Sequence, residues 1–409
     1  MFSHYSWPEA ILHIDGDAFF ASVMESVNPA LSGKPIVTGR ERGIATAISY
    51  AAKKMGVRRG MTLSEIKKQC PNCMYIESDY ELFSLVSKRM FDIMRSYCPY
   101  VEEYSIDEGF ADIKGLRRMY RKSYNDIALM IKKDIETKLN ITVSVGMSIT
   151  KSLAKLSSSF RKPSGFTPVK GKHIEYLLKN RGVQDIWGLG PNTAAYLRQF
   201  NIKTALDFAL LSEEFITSHL SKPYYEIWQE LRGKKVYELQ TNSKTTYQSI
   251  SDTRTFTPPT NDKELLWAYL LTHVEHAFHK ARTYHYCVGK ISLFLKTQRF
   301  EYHQTEVTFT DKTGYPLLVR DELRQGFEKI YSPRFTYRTT GCTITDLEDT
   351  SLVQHSLFEN KERQSKTQKL YAVLNKDHKI DFGTSLLIPR KKVEKEKREL
   401  AIPYLSLQK

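Results

Sequence analysis

At 409 residues, with 41% hydrophobic and 12% aromatic content, the chain is too long for one ordinary core and holds apolar material for about two to four domains. Lys and Arg outnumber Asp and Glu by 61 to 46, giving +15 and a pI near 9.3, which favours a polyanionic partner such as nucleic acid over a small neutral substrate. Five cysteines exclude a disulfide scaffold, and with no membrane-length apolar run and no signal-peptide pattern the expectation is a soluble, cytoplasmic protein without a membrane partner.

In chain order, Ile11 to Ile14 reads as a buried strand that breaks at Asp15-Gly16-Asp17, with a helix starting near Phe19. Asp15 falls at the strand's C-terminal end, where an Asp is also an ordinary turn or N-cap residue. A smaller basic insertion follows, in which "CPNC" (Cys70 to Cys73) reads as a turn after a helix, since no second pair follows at zinc spacing. Leu82, Val86, Met90, Phe91, Ile93, Met94 and Tyr97 form one helical stripe, and residues 125–139 repeat that pattern. Between the two helices lies "EEYSIDEGFADI", where a strand-like run, Tyr104 to Ile106, precedes the adjacent carboxylates Asp107 and Glu108. Neighbouring strand residues point to opposite faces, so this pair either straddles a sheet or sits where a bulge or turn aims both one way. "ITVSVGMSI" (141–149) is a further strand, and the first ~160 residues alternate strands and helices as an α/β domain.

From Lys170 the pattern turns helical and short-looped, and "GLGPNTAAYL" places Gly188, Leu189 and Gly190 at a turn between brief helices. Such a turn either lets backbone N–H groups approach a phosphate or is a purely structural αα-hairpin. After "QTNSKTT" come a strand (Tyr247 to Phe256), a helix (Lys263 to Arg282), two strands (Tyr286 to Leu295, Glu301 to Phe309), a helix (Leu317 to Lys329) and a strand (Phe335 to Leu347). This is a βαββαβ pattern with Arg254, Lys290, Lys296 and Arg299 near its strands. His273, His276 and His279 recur every three residues and read as one exposed helix face without a metal, and after Thr350 the periodicity fades into a polar tail.

A carboxylate ending the first strand and a carboxylate pair on a later hairpin are what a two-metal site needs: hard oxygen ligands converging on Mg²⁺ ions ~3.5–4 Å apart. "HIDGDAFFASV", "ATAISYAAKKMGV", "YSIDEGFADI", "VSVGMSITKSLAKLSSSFRKPSG" and "DIWGLGPNTAAYL" resemble, in that order, the successive signatures of Y-family (translesion) DNA polymerases. With the C-terminal extension, the chain is most similar to the UmuC-type branch of bacteria and their phages. The resemblance implies an α+β, multi-domain right-hand polymerase: palm over 1–169 with a small fingers insertion at about 25–80, helix-hairpin-helix thumb over 170–242, βαββαβ little finger over 243–349, and tail over 350–409. It implies low-fidelity extension of primer–template DNA from dNTPs across damaged template, in an SOS-type repair response with accessory proteins, at the nucleoid. Two Mg²⁺ ions would serve, with Mn²⁺ able to substitute.

Residue by residue, the resemblance makes Asp15, Asp107 and Glu108 the metal carboxylates and the Gly16 carbonyl a further ligand. Phe20 matches the steric-gate aromatic under the incoming sugar, while Tyr50, Lys53 and Lys162 match groups that contact the triphosphate. The chain departs from the pattern with Lys53 where Arg is usual, Gly16 in place of a bulky residue and Met24 where Glu is common; no metal ligand is lost. In "VQHSLFE", Gln354 followed by Leu357 and Phe358 resembles the sliding-clamp peptide of bacterial polymerases. Two readings from other classes stand beside this one. A palm-type nucleotidyl cyclase would need neither hairpin thumb nor second basic domain, and a non-catalytic DNA-binding scaffold would not need all three carboxylates.

Overall fold

The computed structural model describes residues 7–242, 246–353, 361–376 and 387–388. The chain divides into two compact units, the first ending at Ser243 and the second beginning at Lys244.

In the first unit, β1 (Ile11–Gly16) runs at the centre of a five-stranded sheet. It is followed by α1 (Phe19–Val27), α2 (Tyr50–Lys54), α3 (Tyr80–Tyr97), β2 (Val101–Glu103), β3 (Glu108–Asp112), α4 (Tyr124–Leu139), β4 (Val143–Ser148), α5 (Lys151–Ser158) and β5 (Phe166–Pro168). The strand order is β2-β3-β1-β4-β5, with only the β4–β5 pair parallel. Strand alternation divides the sheet chemically. Leu12 and Ile14 join Ala111, Val145 and Met147 under α3 and α4, whose Phe83, Met90, Phe91, Ile131 and Ile135 complete the core. Ile11, His13 and Asp15 point to the other face, toward Phe110 and the Ala154 of α5. Asp79 caps α3 by accepting from the Leu82 N–H at 3.0 Å, and Ser123 with Asp126 forms a capping box on α4.

The hairpin differs from the sequence expectation. Tyr104 to Ile106 is not strand but the turn between β2 and β3, because Ser105 closes it locally: its N–H donates to the Glu108 carbonyl at 2.9 Å and its hydroxyl to Asp107 Oδ1 at 3.0 Å. Asp107 is therefore a turn residue and Glu108 the first residue of β3.

Within the inserted segment, the short strands Ile36–Thr38, Ala47–Ile48 and Met74–Ile76 form their own sheet over Val37, Ile66, Cys70 and Cys73. Cys70 ends the helix Leu63–Gln69 and accepts from the Cys73 N–H at 3.0 Å, so "CPNC" is a turn after a helix with both thiols buried. From residue 170 the chain forms short helices, among them α6 (Pro191–Arg198) and α7 (Lys222–Leu231), whose Leu197, Ile227 and Trp228 share a core with Leu153 and Leu156 of α5. The segment after α7 is strapped back onto this unit by two buried acids. Glu230 accepts from the backbone N–H groups of Ser152, Val236 and Tyr237 at 3.0, 2.8 and 3.0 Å. Glu102 binds the Lys151 ammonium through both oxygens, at 2.8 and 2.7 Å, and accepts from the Gln240 N–H at 2.8 Å.

The second unit has the βαββαβ order: β6 (Ile250–Thr260), α8 (Lys263–Thr283), β7 (Tyr286–Thr297), β8 (Tyr302–Thr313), α9 (Arg320–Ile330) and β9 (Tyr337–Asp349). Its sheet, β8-β7-β9-β6, is antiparallel throughout. Val288, Ile291, Leu293 and Leu295 face the two helices across a bulge at Val288/Lys290, whereas Lys290, Ser292, Phe294 and Lys296 line the other, open face. β6 runs on through Pro258 and Pro259 beyond the expected Phe256, as an edge strand with a single neighbour can. The polar tail holds a helix that its sequence did not announce, α10 (Lys361–Lys376). Of its described side chains only Thr367 and Tyr371, one turn apart, are buried, too sparse a stripe to read as periodicity. The Tyr371 hydroxyl donates to Glu275 Oε1 of α8 at 2.9 Å, with the Arg282 guanidinium 4.5 Å over its ring. Gln354, Leu357 and Phe358 lie outside the described residues. Among the described residues no helix is long and apolar enough to cross a membrane.

Candidate active site

Antiparallel pairing of β1 with β3 sets Asp15 directly opposite Glu108 and His13 opposite Phe110, and opposed residues share a face. The hairpin is pinned there by the Gly16 N–H, which donates to the Asp107 carbonyl at 2.7 Å. The ligand atoms of His13, Asp15 and Glu108 all lie within 4.8 Å of one another. Asp107 stands beside this group, near enough to disfavour ionisation of Asp15, with one carboxylate oxygen taken by Ser105.

Two lysines reach in from α5 and the loop beyond it. Lys155 pairs with Glu108 and Lys162 with Asp15. Burial works to raise the pKa of Glu108, but bonds from His13 and Lys155 outweigh it and hold the group at about 2, so it is ionised. Burial pushes Asp15 up to about 6 despite Lys162. His13 is fully buried and burial lowers it to about 4, so the imidazole is neutral: Nε2 donates to Glu108 Oε2 across 3.1 Å, and Nδ1 lies 2.8 Å from Ser158 Oγ. The hard carboxylate oxygens converging from two strands, beside the Gly16 backbone, fit divalent cations, and the two ammonium groups already show that the cluster attracts positive charge.

Around this cluster, Phe20 stacks on Phe83 with ring centres 4.3 Å apart and meets the edge of Tyr80 at 5.8 Å. The Lys53 ammonium sits 4.3 Å over the Tyr50 ring, and the Tyr50 hydroxyl donates to Asp17 Oδ1 at 3.4 Å. Burial, then the neighbouring Lys162, lowers the Lys53 pKa. Asp17, His13 and Lys155 were not singled out from the sequence. Asp17 is fully buried and ties the surroundings together, accepting from the Ser144 hydroxyl at 2.8 Å and the Ser164 N–H at 2.7 Å as well as from Tyr50. His13 had a signal, lying two residues before Asp15 and so on the same strand face.

The other predicted residues separate by location. Gly188 has φ +86° and sits where a Cβ would meet Ile227 Cδ1 at 2.8 Å, which explains the glycine. Leu189 is buried, and its N–H is spent on the Ile186 carbonyl at 3.1 Å, so it serves the core; Gly190 caps α6 in open space. Lys290 and Lys296 stand on the open face of the second sheet. Arg254 does not join them: it lies opposite Thr340, itself opposite the core residue Leu295, and so belongs to the helix-covered face. Arg299 is in the exposed β7–β8 turn. His273 also departs from expectation, being buried, because steps of three residues turn a helix by about 300° and spread the three histidines over roughly a third of its circumference.

The sequence matches the impB/mucB/samB family over residues 14–159 and that family's C-terminal domain over residues 247–357. DNA polymerase IV of Streptococcus pyogenes serotype M3 is 30% identical over 351 residues, covering 83% of this chain and 94% of the relative. DNA polymerase IV of Streptococcus pneumoniae serotype 2 is 32% identical over 252 residues, covering 60% of this chain and 70% of the relative. Among solved structures, a Y-family DNA polymerase chimera of Dbh and Dpo4 aligns at 21% identity and a TM-score of 0.68, over 83% of this chain and 99% of that one. DinB from Sulfolobus solfataricus aligns at 21% identity and a TM-score of 0.54, over 82% of this chain and 98% of that one. The chain belongs to the impB/mucB/samB family, the Y-family of DNA polymerases.

Proposed function

We propose that this Y-family polymerase adds deoxynucleotides to a primer 3′ end on template DNA, tolerating damaged template, with Asp15, Asp107 and Glu108 as its metal carboxylates. The observation that carries the reading is the cross-strand pair Asp15 and Glu108, with the Asp107 backbone bonded to Gly16. Mg²⁺ ions held by these three carboxylates and the Gly16 carbonyl, with Mn²⁺ able to substitute, would supply the charge that activates the primer hydroxyl and stabilises the leaving phosphate oxygen. The protein's own part is positioning. Glu108 is kept ionised by His13 and Lys155, so an oxygen ligand is ready at neutral pH. Lys162, Lys53 and Tyr50 gather beside Asp15 and Asp17, where a triphosphate would meet two ammonium groups and a hydroxyl, and the lysine now on Asp15 can pass to a phosphate oxygen. Phe20, set against Phe83, is the gate below the sugar.

The same reading assigns 1–169 to palm and fingers, 170–242 to thumb, 243–349 to little finger and 350–409 to the tail. DNA backbone contacts fall to Gly188 and Gly190 and to Lys290, Lys296 and Arg299, and the sliding clamp to Gln354, Leu357 and Phe358. The UmuC-type branch rests on the extension after residue 350, while the curated relatives carry the name DNA polymerase IV. Extension that depends on SOS accessory proteins would favour the former, and full activity of the chain alone the latter. For the site, Glu108→Ala should abolish Mg²⁺-dependent primer extension while leaving DNA affinity near that of the unaltered chain, because affinity comes from phosphate contacts elsewhere. Robust extension by that variant would remove the assignment.

A further inference from the structure

We propose that the second unit carries a transition-metal site of its own, formed by Asp252, His273 and His276, that takes one Zn²⁺-class ion. Asp252 lies on the edge strand β6, on the face covered by α8, and its two oxygens meet two imidazoles of that helix. Oδ1 is paired with His273 Nδ1, and Oδ2 is 3.4 Å from His276 Nδ1. The three ligand atoms lie within 4.8 Å of one another. Tetrahedral zinc with bonds of about 2.0–2.2 Å needs neighbouring ligand atoms about 3.3 Å apart, so modest side-chain rotation closes the set.

The donor chemistry selects the ion. Two imidazole nitrogens and one carboxylate suit Zn²⁺, Co²⁺ or Ni²⁺ and disfavour Mg²⁺ and Ca²⁺, the reverse of the oxygen-rich cluster in the first unit. The surroundings provide rigidity and access together. The His273 side chain is 5% exposed and fixed in the core, whereas that of His276 is 63% exposed and opens a path for the ion and a fourth position for water. The buried Cys342 lies directly across from Asp252 on β9, a soft donor adjoining the site. The groups facing this carboxylate are imidazoles rather than ammonium groups, and a ring nitrogen, unlike an ammonium, can offer a lone pair to a metal. A bound ion would staple the edge strand to α8.

The competing account is a carboxylate that merely accepts N–H bonds from two histidines. Co²⁺ and Zn²⁺ titrations of the full chain in excess Mg²⁺ separate the two. The metal site requires about one equivalent bound per chain, a visible tetrahedral Co²⁺ spectrum, and a rise of about 5 °C in the melting temperature with Zn²⁺. His276→Ala, at an exposed position, should melt like the unaltered chain without metal and keep Mg²⁺-dependent primer extension, yet lose both the spectrum and the Zn²⁺ shift. Glu108→Gln should keep both. A thiolate-to-cobalt band would add Cys342 to the ligands. Absence of the spectrum in the unaltered chain, its survival in His276→Ala, or its loss in Glu108→Gln would each overturn the proposal.

Discussion

Phe20 stacks on Phe83, a ring with no exposure at all, so its position is fixed by the core rather than by a ligand. If it is the gate below the sugar, discrimination against a 2′-hydroxyl is steric, and Phe20→Ala should admit ribonucleotides while dNTP extension continues. Unchanged ribonucleotide rejection by a folded variant would make Phe20 core packing alone. The residues legible in the sequence were those whose chemistry is costly anywhere else: Asp15 at a strand end, and Asp107 with Glu108 on one hairpin. The residues that hold them were less visible. Asp17 looked like half of an Asp-Gly-Asp turn, and nothing local announces that Ser144, Ser164 and Tyr50 will converge on it. Lys155 sits on a helix whose neighbours are mostly buried, and its meeting with Glu108 is set by sheet packing, which sequence spacing does not encode.

At the scale of elements, the strands and helices of both units fell close to where periodicity put them, while side-chain direction did not. The four cations near the second sheet read as one basic group, yet strand alternation sends Arg254 to the helix-covered face and Lys290 and Lys296 to the open one. Replacing Lys290 and Lys296 with Ala should therefore weaken DNA binding across all sequences and lower the slope of log affinity against log salt by about 2, whereas Arg254→Ala should leave that slope nearly unchanged. Equal effects in a salt-titrated binding assay would refute the face assignment. The helix α10 supplies a second test. Burial pushes Glu275 up to about 7, against the pull of Tyr371 and Arg282. A carboxyl that keeps its proton to higher pH in the folded state than in the unfolded one, where it titrates near 4.5, adds stability that is present at low pH and lost as pH rises from about 4.5 through 7. The loss is about 3 kcal/mol at most. Glu275→Gln, a neutral mimic, should flatten the melting temperature of the second unit across pH 5 to 8, and a variant that retains the full pH dependence would place the titrating group elsewhere.

For the molecule as a whole, the clamp peptide is a prediction about partnership rather than chemistry. Leu357→Ala with Phe358→Ala should leave extension without clamp unchanged and erase any stimulation by a bacterial sliding clamp, because two apolar anchors carry most of so small an interface. Joint loss of thermal stability and unassisted activity would mean the two side chains pack on the chain itself, and equal stimulation of both proteins would end the docking idea. The strap after α7 has a different bearing on the molecule, on where it can be divided. The helix α7 ends at Leu231, yet Glu230 and Glu102 depend on the N–H groups of Val236, Tyr237 and Gln240. A chain cut after Arg232 would keep every described helix and strand of the first unit and still leave two buried anions short of donors, a fault that costs several kcal/mol. One cut after Gln240 would keep them satisfied. The smallest autonomous fragment of the N-terminal half is thus defined by two carboxylates rather than by the end of its secondary structure, and a protease that removes the second unit from the native protein should leave the strap behind on the first.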